Sequence, residues 1–104
     1  MNDNNANTED TSVAGLKEIS HLLAKIDDEQ LIWDFFECLF TAAERKDFSN
    51  RWLLVKEIAA GVTQREIARE FKMSLCKITR GSKELKKPHS AFKKMLDKLK
   101  DDTL

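Results

Sequence analysis

The sequence predicts an all-α fold that pairs with a partner chain. Three observations carry this. The 104 residues include only three glycines and one proline, so helix breaks are few. Apolar residues recur at three- and four-residue spacing along most of the chain, the period of one helix face. One ten-residue segment is apolar on every side, and a chain this short cannot easily surround such a helix with its own residues. The length fits one domain. With 35% charged and 41% hydrophobic residues, the composition suits a folded chain rather than a disordered one.

Residues 1–10 are polar and rich in Asn and Asp, so they are expected to form a disordered N-terminal arm. The first helix is expected from about Thr11 to Ile26. Its apolar stripe is Leu16, Ile19, Leu23 and Ile26. Asp27 and Asp28 then break the helix and offer an N-cap to the next. That second segment, LIWDFFECLF at residues 31–40, has eight apolar residues in ten. Trp33, Phe35, Phe36 and Phe40 point to burial against a second copy of the chain. The central helix of a monomeric bundle is the other way to bury them.

Thr41 and Glu44 form a capping box for a third helix, which should run to about Ala60 and stop at Gly61. Its stripe is Phe48, Trp52, Val55 and Ala59. Residues 11–62 are thus expected to be a dimerisation core. Residues 63–87 form the next unit, a helix-turn-helix, and residues 88–104 a C-terminal dimerisation helix. Pro88 suits the first turn of that last helix and forces Lys87 out of the helical region. Phe92, Met95, Leu96 and Leu99 share one face of it, and Lys93, Lys94, Lys98 and Lys100 lie largely on the other.

The stretch TQREIAREFKMSLCKITRGSKELKK carries the chemistry. Thr63 and Glu66 make a second capping box. Ile67 and Phe71 point the same way, and Ala68 is small where two helices cross. Met73 sits in the turn, Ser74 caps the next helix, and Ile78 and Leu85 turn inward. The spacing Gln64, Ala68, Met73, Ile78 matches the helix-turn-helix pattern. Lys72 stands where glycine usually supplies a positive φ. The second helix offers Leu75, Cys76, Lys77, Thr79, Arg80 and Lys83 to the major groove of DNA. Lys77 and Thr79 reach base edges, Arg65 pairs with guanine, and Gln64 suits phosphate. The charge distribution agrees. Residues 1–63 hold 6 Lys/Arg against 12 Asp/Glu, whereas residues 64–100 hold 12 against 4. Solvated basic faces on a surface helix pair, or a module that grips acidic protein partners, are the alternatives.

Other classes fit less well. His21 and His89 lie in unrelated segments, and no phosphate-cradling glycine loop exists, so an enzyme is not expected. Cys38 and Cys76 read as reduced thiols with no metal site. No segment approaches the roughly 18 apolar residues of a membrane span. The N-terminus lacks a signal-peptide core, so a cytoplasmic location is expected.

From Thr41 onward the sequence resembles the tryptophan repressor family. The carriers are TAAER (residues 41–45), Arg51, GVTQRE (61–66) and ITRGS (78–82) with Leu85 and Lys86. The resemblance implies an intertwined homodimer of six helices per chain that acts as a transcriptional repressor on double-stranded operator DNA. It also implies L-tryptophan as corepressor, in a cleft between dimer core and reading head. The matching ligand positions are Thr41, Arg51, Arg80 and Gly81, with the backbone carbonyls of Cys38 and Phe40 for the ammonium. Two guanidinium planes are able to sandwich an indole. Glu84 departs from the small residue usual at its position; it either holds the ligand ammonium or pairs with Arg80 and closes the site. Lys77 replaces a small polar residue, and the Gly61–Gln64 connection is one residue short. The short connection resembles relatives with no assigned effector. A dimer answering to another effector, or to none, is therefore the alternative.

Overall fold

The computed structural model describes residues 7–103. Among them are six α-helices and no strand: α1 (Asn7–Lys25), α2 (Glu29–Leu39), α3 (Ala42–Ala59), α4 (Gln64–Phe71), α5 (Leu75–Lys86) and α6 (Ala91–Thr103). The all-α expectation holds. The chain divides into two compact units, one ending at Thr41 and the other beginning at Ala42.

In the first unit, α1 begins at Asn7, four residues before the expected start. The rest of the expected N-terminal arm, residues 1–6, lies outside the described residues. Ile19, Leu23 and Ile26 are half-buried, whereas Leu16 of the same stripe is exposed. Asp28 caps α2 in extended geometry (φ −133°, ψ 97°), its carboxylate accepting from the Leu31 N–H at 3.2 Å. Phe40 closes the helix with its N–H donating to the Phe36 carbonyl at 3.0 Å. Phe35, Phe36 and Phe40 form a run of tilted rings with centroids 6.2 and 6.1 Å apart. Yet no side chain of α2 is buried, and Trp33 is 60% exposed.

The second unit builds its own core. Leu54 from α3, Ile67 from α4 and Ile78 from α5 meet at its centre, with Ile58, Val62, Ala68, Phe71 and Met73 packed around them. Ile67 and Ile78 are fully buried, each worth about 1.5–3 kcal/mol in hydrophobic transfer. Helix α5 is the hub, packing against α3, α4 and α6. Gly81 lies in its buried arc. A Cβ there would sit 3.4 Å from Leu54 Cδ2 and 3.7 Å from Ile58 Cδ1, ordinary contact distances to the α3 side chains it faces.

Three helix ends fix the path of the chain. The end of α3 is closed by paired bonds, Gly61 N–H to Ile58 O (3.1 Å) and Val62 N–H to Glu57 O (3.1 Å), with Gly61 at φ 90°. Thr63 and Ser74 cap α4 and α5 as expected, accepting from the Glu66 and Lys77 N–H groups. Between those helices Lys72 adopts φ 52°, ψ 42°, the left-handed conformation its position demands.

Two expectations need correction. The α3 residues packed into this core are Leu54 and Ile58, and of the expected stripe Phe48, Trp52, Val55 and Ala59 only Val55 is buried. Phe48 and Ala59 are exposed and Trp52 is half-buried. The helix has apolar residues on two faces, and spacing alone does not say which face meets α4 and α5. Pro88 does not open α6. Lys87 is extended (φ −65°, ψ 145°) as expected, but Pro88 and His89 form the turn, and Ser90 caps α6 by accepting from the Lys93 N–H at 3.3 Å.

Candidate functional site

In the second unit, α4 and α5 expose polar and basic side chains along their outer surface. Every sequence-expected DNA contact lies on it: Gln64 and Arg65 open α4, and Leu75, Cys76, Lys77, Thr79 and Lys83 run along α5. All seven are exposed. Helical spacing explains part of this. Ile78, Gly81 and Ser82 form the buried arc of α5; Thr79 and Lys83 turn away from it, and Leu75, though three residues before Ile78, is exposed at the open N-terminal end of the helix. Leu75 is 59% exposed, an apolar side chain at the first position of α5. Cys76 is a free, exposed thiol beside it. At the start of α5 Ser74 takes the Lys77 and Ile78 N–H groups, and no acidic residue lies in the first turn.

Lys77 lies at the α3 edge of this surface and is held there. Its Nζ is 3.6 Å from Asp47 Oδ1 on α3, and the other carboxylate oxygen, Oδ2, is 3.1 Å from Arg51 Nη2. Sequence reading singled out Arg51 and Lys77 separately and missed Asp47, which joins them. The only local sign was the four-residue Asp47–Arg51 spacing, which places the pair on one helix face.

The ligand candidates fall into two sets. Cys38, Phe40 and Thr41 are in the first unit, at the end of α2 and just beyond it. Cys38 and Thr41 are exposed and Phe40 is half-buried. Arg51, Arg80, Gly81 and Glu84 are in the second. There Arg51 is exposed and paired with Asp47, while Arg80 is exposed and makes no ion pair among the described residues. Gly81 is buried against α3. Glu84 is half-buried and pairs with Lys87, one turn along α5, rather than with Arg80. Of the two roles sketched for Glu84, self-closure by an Arg80 pair is therefore not the one realised.

Two grooves mark the surface. One of about 480 Å³ is lined by α2 residues including Ile32, Trp33 and Phe36. The other, about 490 Å³, runs between α3, α5 and α6 over Ala59, Leu85, Leu96 and Leu99, with a lysine rim. Leu85, expected in the Ile67–Ile78 core, lines this second groove instead. Neither groove is lined by Arg51, Arg80, Gly81 or Glu84. Among the described residues no group of three His, Cys, Asp or Glu is placed to hold a metal ion, and no helix is long and apolar enough to cross a membrane.

Comparison with known proteins fits this layout. Residues 14–100 match the family described as Trp repressor protein, a span that takes in part of α1, all of α2 to α5 and most of α6. The chain is 35% identical over 86 residues to a Trp operon repressor homolog of Chlamydia trachomatis serovar L2, covering 82% of this chain and 92% of that protein. A Trp operon repressor homolog of Chlamydia caviae is 37% identical over 86 residues, with 82% and 85% covered. No solved structure gives a significant match. The chain therefore belongs to the Trp repressor family, a family of transcriptional repressors.

Proposed function

We propose that the protein is a sequence-specific DNA-binding repressor that works as a homodimer and takes L-tryptophan as corepressor. The observation that carries this is the capped α4–turn–α5 pair, which turns Arg65, Leu75, Thr79 and Lys83 outward from a core of its own, in a chain of this family. In this reading residues 63–87 are a helix-turn-helix head, and the N-terminal part of α5 enters the major groove of double-stranded operator DNA. Gln64 and the helix N-termini meet phosphate, Arg65 reads guanine, and Lys77 and Thr79 reach base edges or their bridging waters. The repressor acts in the cytoplasm.

Residues 11–62 and 88–104 form the dimer core in this reading. The exposed Trp33, Leu16 and Leu39 support it, because one chain leaves them uncovered. The tryptophan cleft takes the Cys38 and Phe40 carbonyls, Thr41, Arg51, Arg80, Gly81 and Glu84. Arg51 has donors enough to serve both Asp47 and a ligand carboxylate or indole face. The ligand works as a population shift. It favours the spacing of two heads, about one DNA turn apart, that fits successive grooves. It does so only by binding that arrangement more tightly than others.

Titration calorimetry of the purified protein with L-tryptophan is the test. A saturable heat is expected, accompanied by tighter operator binding. No heat at millimolar ligand refutes the tryptophan reading. A second reading keeps the DNA-binding dimer with another effector, or none. It is favoured by the half-buried Glu84 carboxylate and by a link of only two residues, Val62 and Thr63, between Gly61 and α4. Full DNA affinity without any amino acid selects it.

A further inference from the structure

We propose that Asp47 is an acidic clasp on the DNA-reading helix: its carboxylate holds Lys77 back from DNA phosphate, and Arg51 holds the carboxylate in place. The inference rests on the DNA-binding reading of α5, and is independent of what the effector is. Asp47 stands on α3 and Lys77 on α5, 30 residues apart in sequence, so only the crossing of these helices brings them together. The carboxylate is divided between two cations. Oδ2 takes Arg51 at 3.1 Å along the same helix, and this fixes the side chain so that Oδ1 faces Lys77 Nζ at 3.6 Å.

Lys77 is the third residue of α5, where a cation opposes the helix dipole and no acidic residue of the first turn compensates it. Asp47 supplies that missing negative charge from the neighbouring helix. The three side chains are 64%, 44% and 54% exposed for Arg51, Asp47 and Lys77, so the contacts hold the fold only weakly and open readily. A phosphate that takes Lys77 at hydrogen-bond distance comes within about 7 Å of Asp47, inside the screening length of physiological salt. It must therefore displace one carboxylate and tolerate its charge nearby. On random-sequence DNA, where no base edge is matched to Lys77, Asp47 thus lowers affinity through the lost phosphate contact.

The test uses a random-sequence DNA duplex without any amino acid, so it depends on neither operator nor effector. Binding is followed by fluorescence anisotropy over a range of KCl for wild type, Asp47→Asn, Asp47→Glu, Lys77→Gln and the Asp47→Asn/Lys77→Gln double variant. Circular dichroism checks that helix content is unchanged. Asp47→Asn is expected to tighten binding about two- to fivefold at low salt, the range of an exposed ion pair. The slope of log K against log salt should steepen by about 0.9, one added phosphate contact. Asp47→Glu should stay at the wild-type value. In the Lys77→Gln background Asp47→Asn should leave the slope unchanged. Equal tightening and equal slope change in both backgrounds would show a bulk charge effect and overturn the clasp, as would no change or a loss on Asp47→Asn. If none of the five proteins binds duplex at low salt, the DNA-binding reading falls and the clasp with it. Failure to bind tryptophan leaves this experiment intact.

Discussion

The two units of this chain use their apolar residues in opposite ways. From Ala42 onward, three helices drive Leu54, Ile67 and Ile78 into a shared centre, although Phe48, Leu75 and Met95 stay exposed. Up to Thr41, two helices carry an aromatic cluster and a leucine stripe, yet no residue of α2 is buried. Apolar surface left in water costs roughly 25 cal/mol per Å² relative to burial. The first unit thus leaves its apolar residues uncovered, whereas the second buries a small centre between three of its helices. A head that folds around its own centre keeps its reading side chains fixed. In the proposed dimer, a core completed by another chain would leave the distance between two heads adjustable, as the proposed ligand control requires.

Substitutions on the two sides should behave differently. Ile67→Ala removes fully buried methyl groups from the head. It should lower unfolding free energy by about 2–5 kcal/mol in chemical denaturation, with little dependence on protein concentration. Trp33→Ala should cost about 2 kcal/mol or more, but as weakened self-association measured by dilution. A side chain 60% exposed in a true monomer would cost no more than about 0.5 kcal/mol, so a small concentration-independent loss breaks the contrast. Arg65→Ala should leave stability alone and weaken operator binding by about 1–3 kcal/mol, with relaxed preference at one base pair in competition assays. Changes at Lys93 or Lys94 should weaken binding less and on all sequences equally. Smallest is Lys72→Gly in the turn of the head. Relief of the left-handed conformation should raise stability by about 0.5–1 kcal/mol in thermal unfolding.

Local signals made much of this legible beforehand. Asp28, Thr63 and Ser74 cap their helices as their positions foretold, because a cap is decided within four residues. Lys72 takes the positive φ that the turn imposes whatever the residue. The seven DNA-facing candidates follow once Ile67 and Ile78 are known to be inside. What escaped depends on partners distant in sequence. The phase of α3 was misread because Phe48 and Leu54 belong to different apolar faces, and only the helices packed on one of them reveal which is which. Pro88 fits either a helix start or the turn before it, and the buried Ser90 hydroxyl decides for the turn. Asp47 acquires its role only when the α3–α5 crossing sets it beside Lys77.

The claim on which the rest stands is that a second copy completes the unit ending at Thr41. Sedimentation equilibrium of the purified chain at micromolar concentration tests it directly. The account predicts a single species of twice the 12.0 kDa chain mass, stable to dilution across that range. A well-folded helical species of 12.0 kDa would contradict it, since Trp33 and its neighbours would then stay in water.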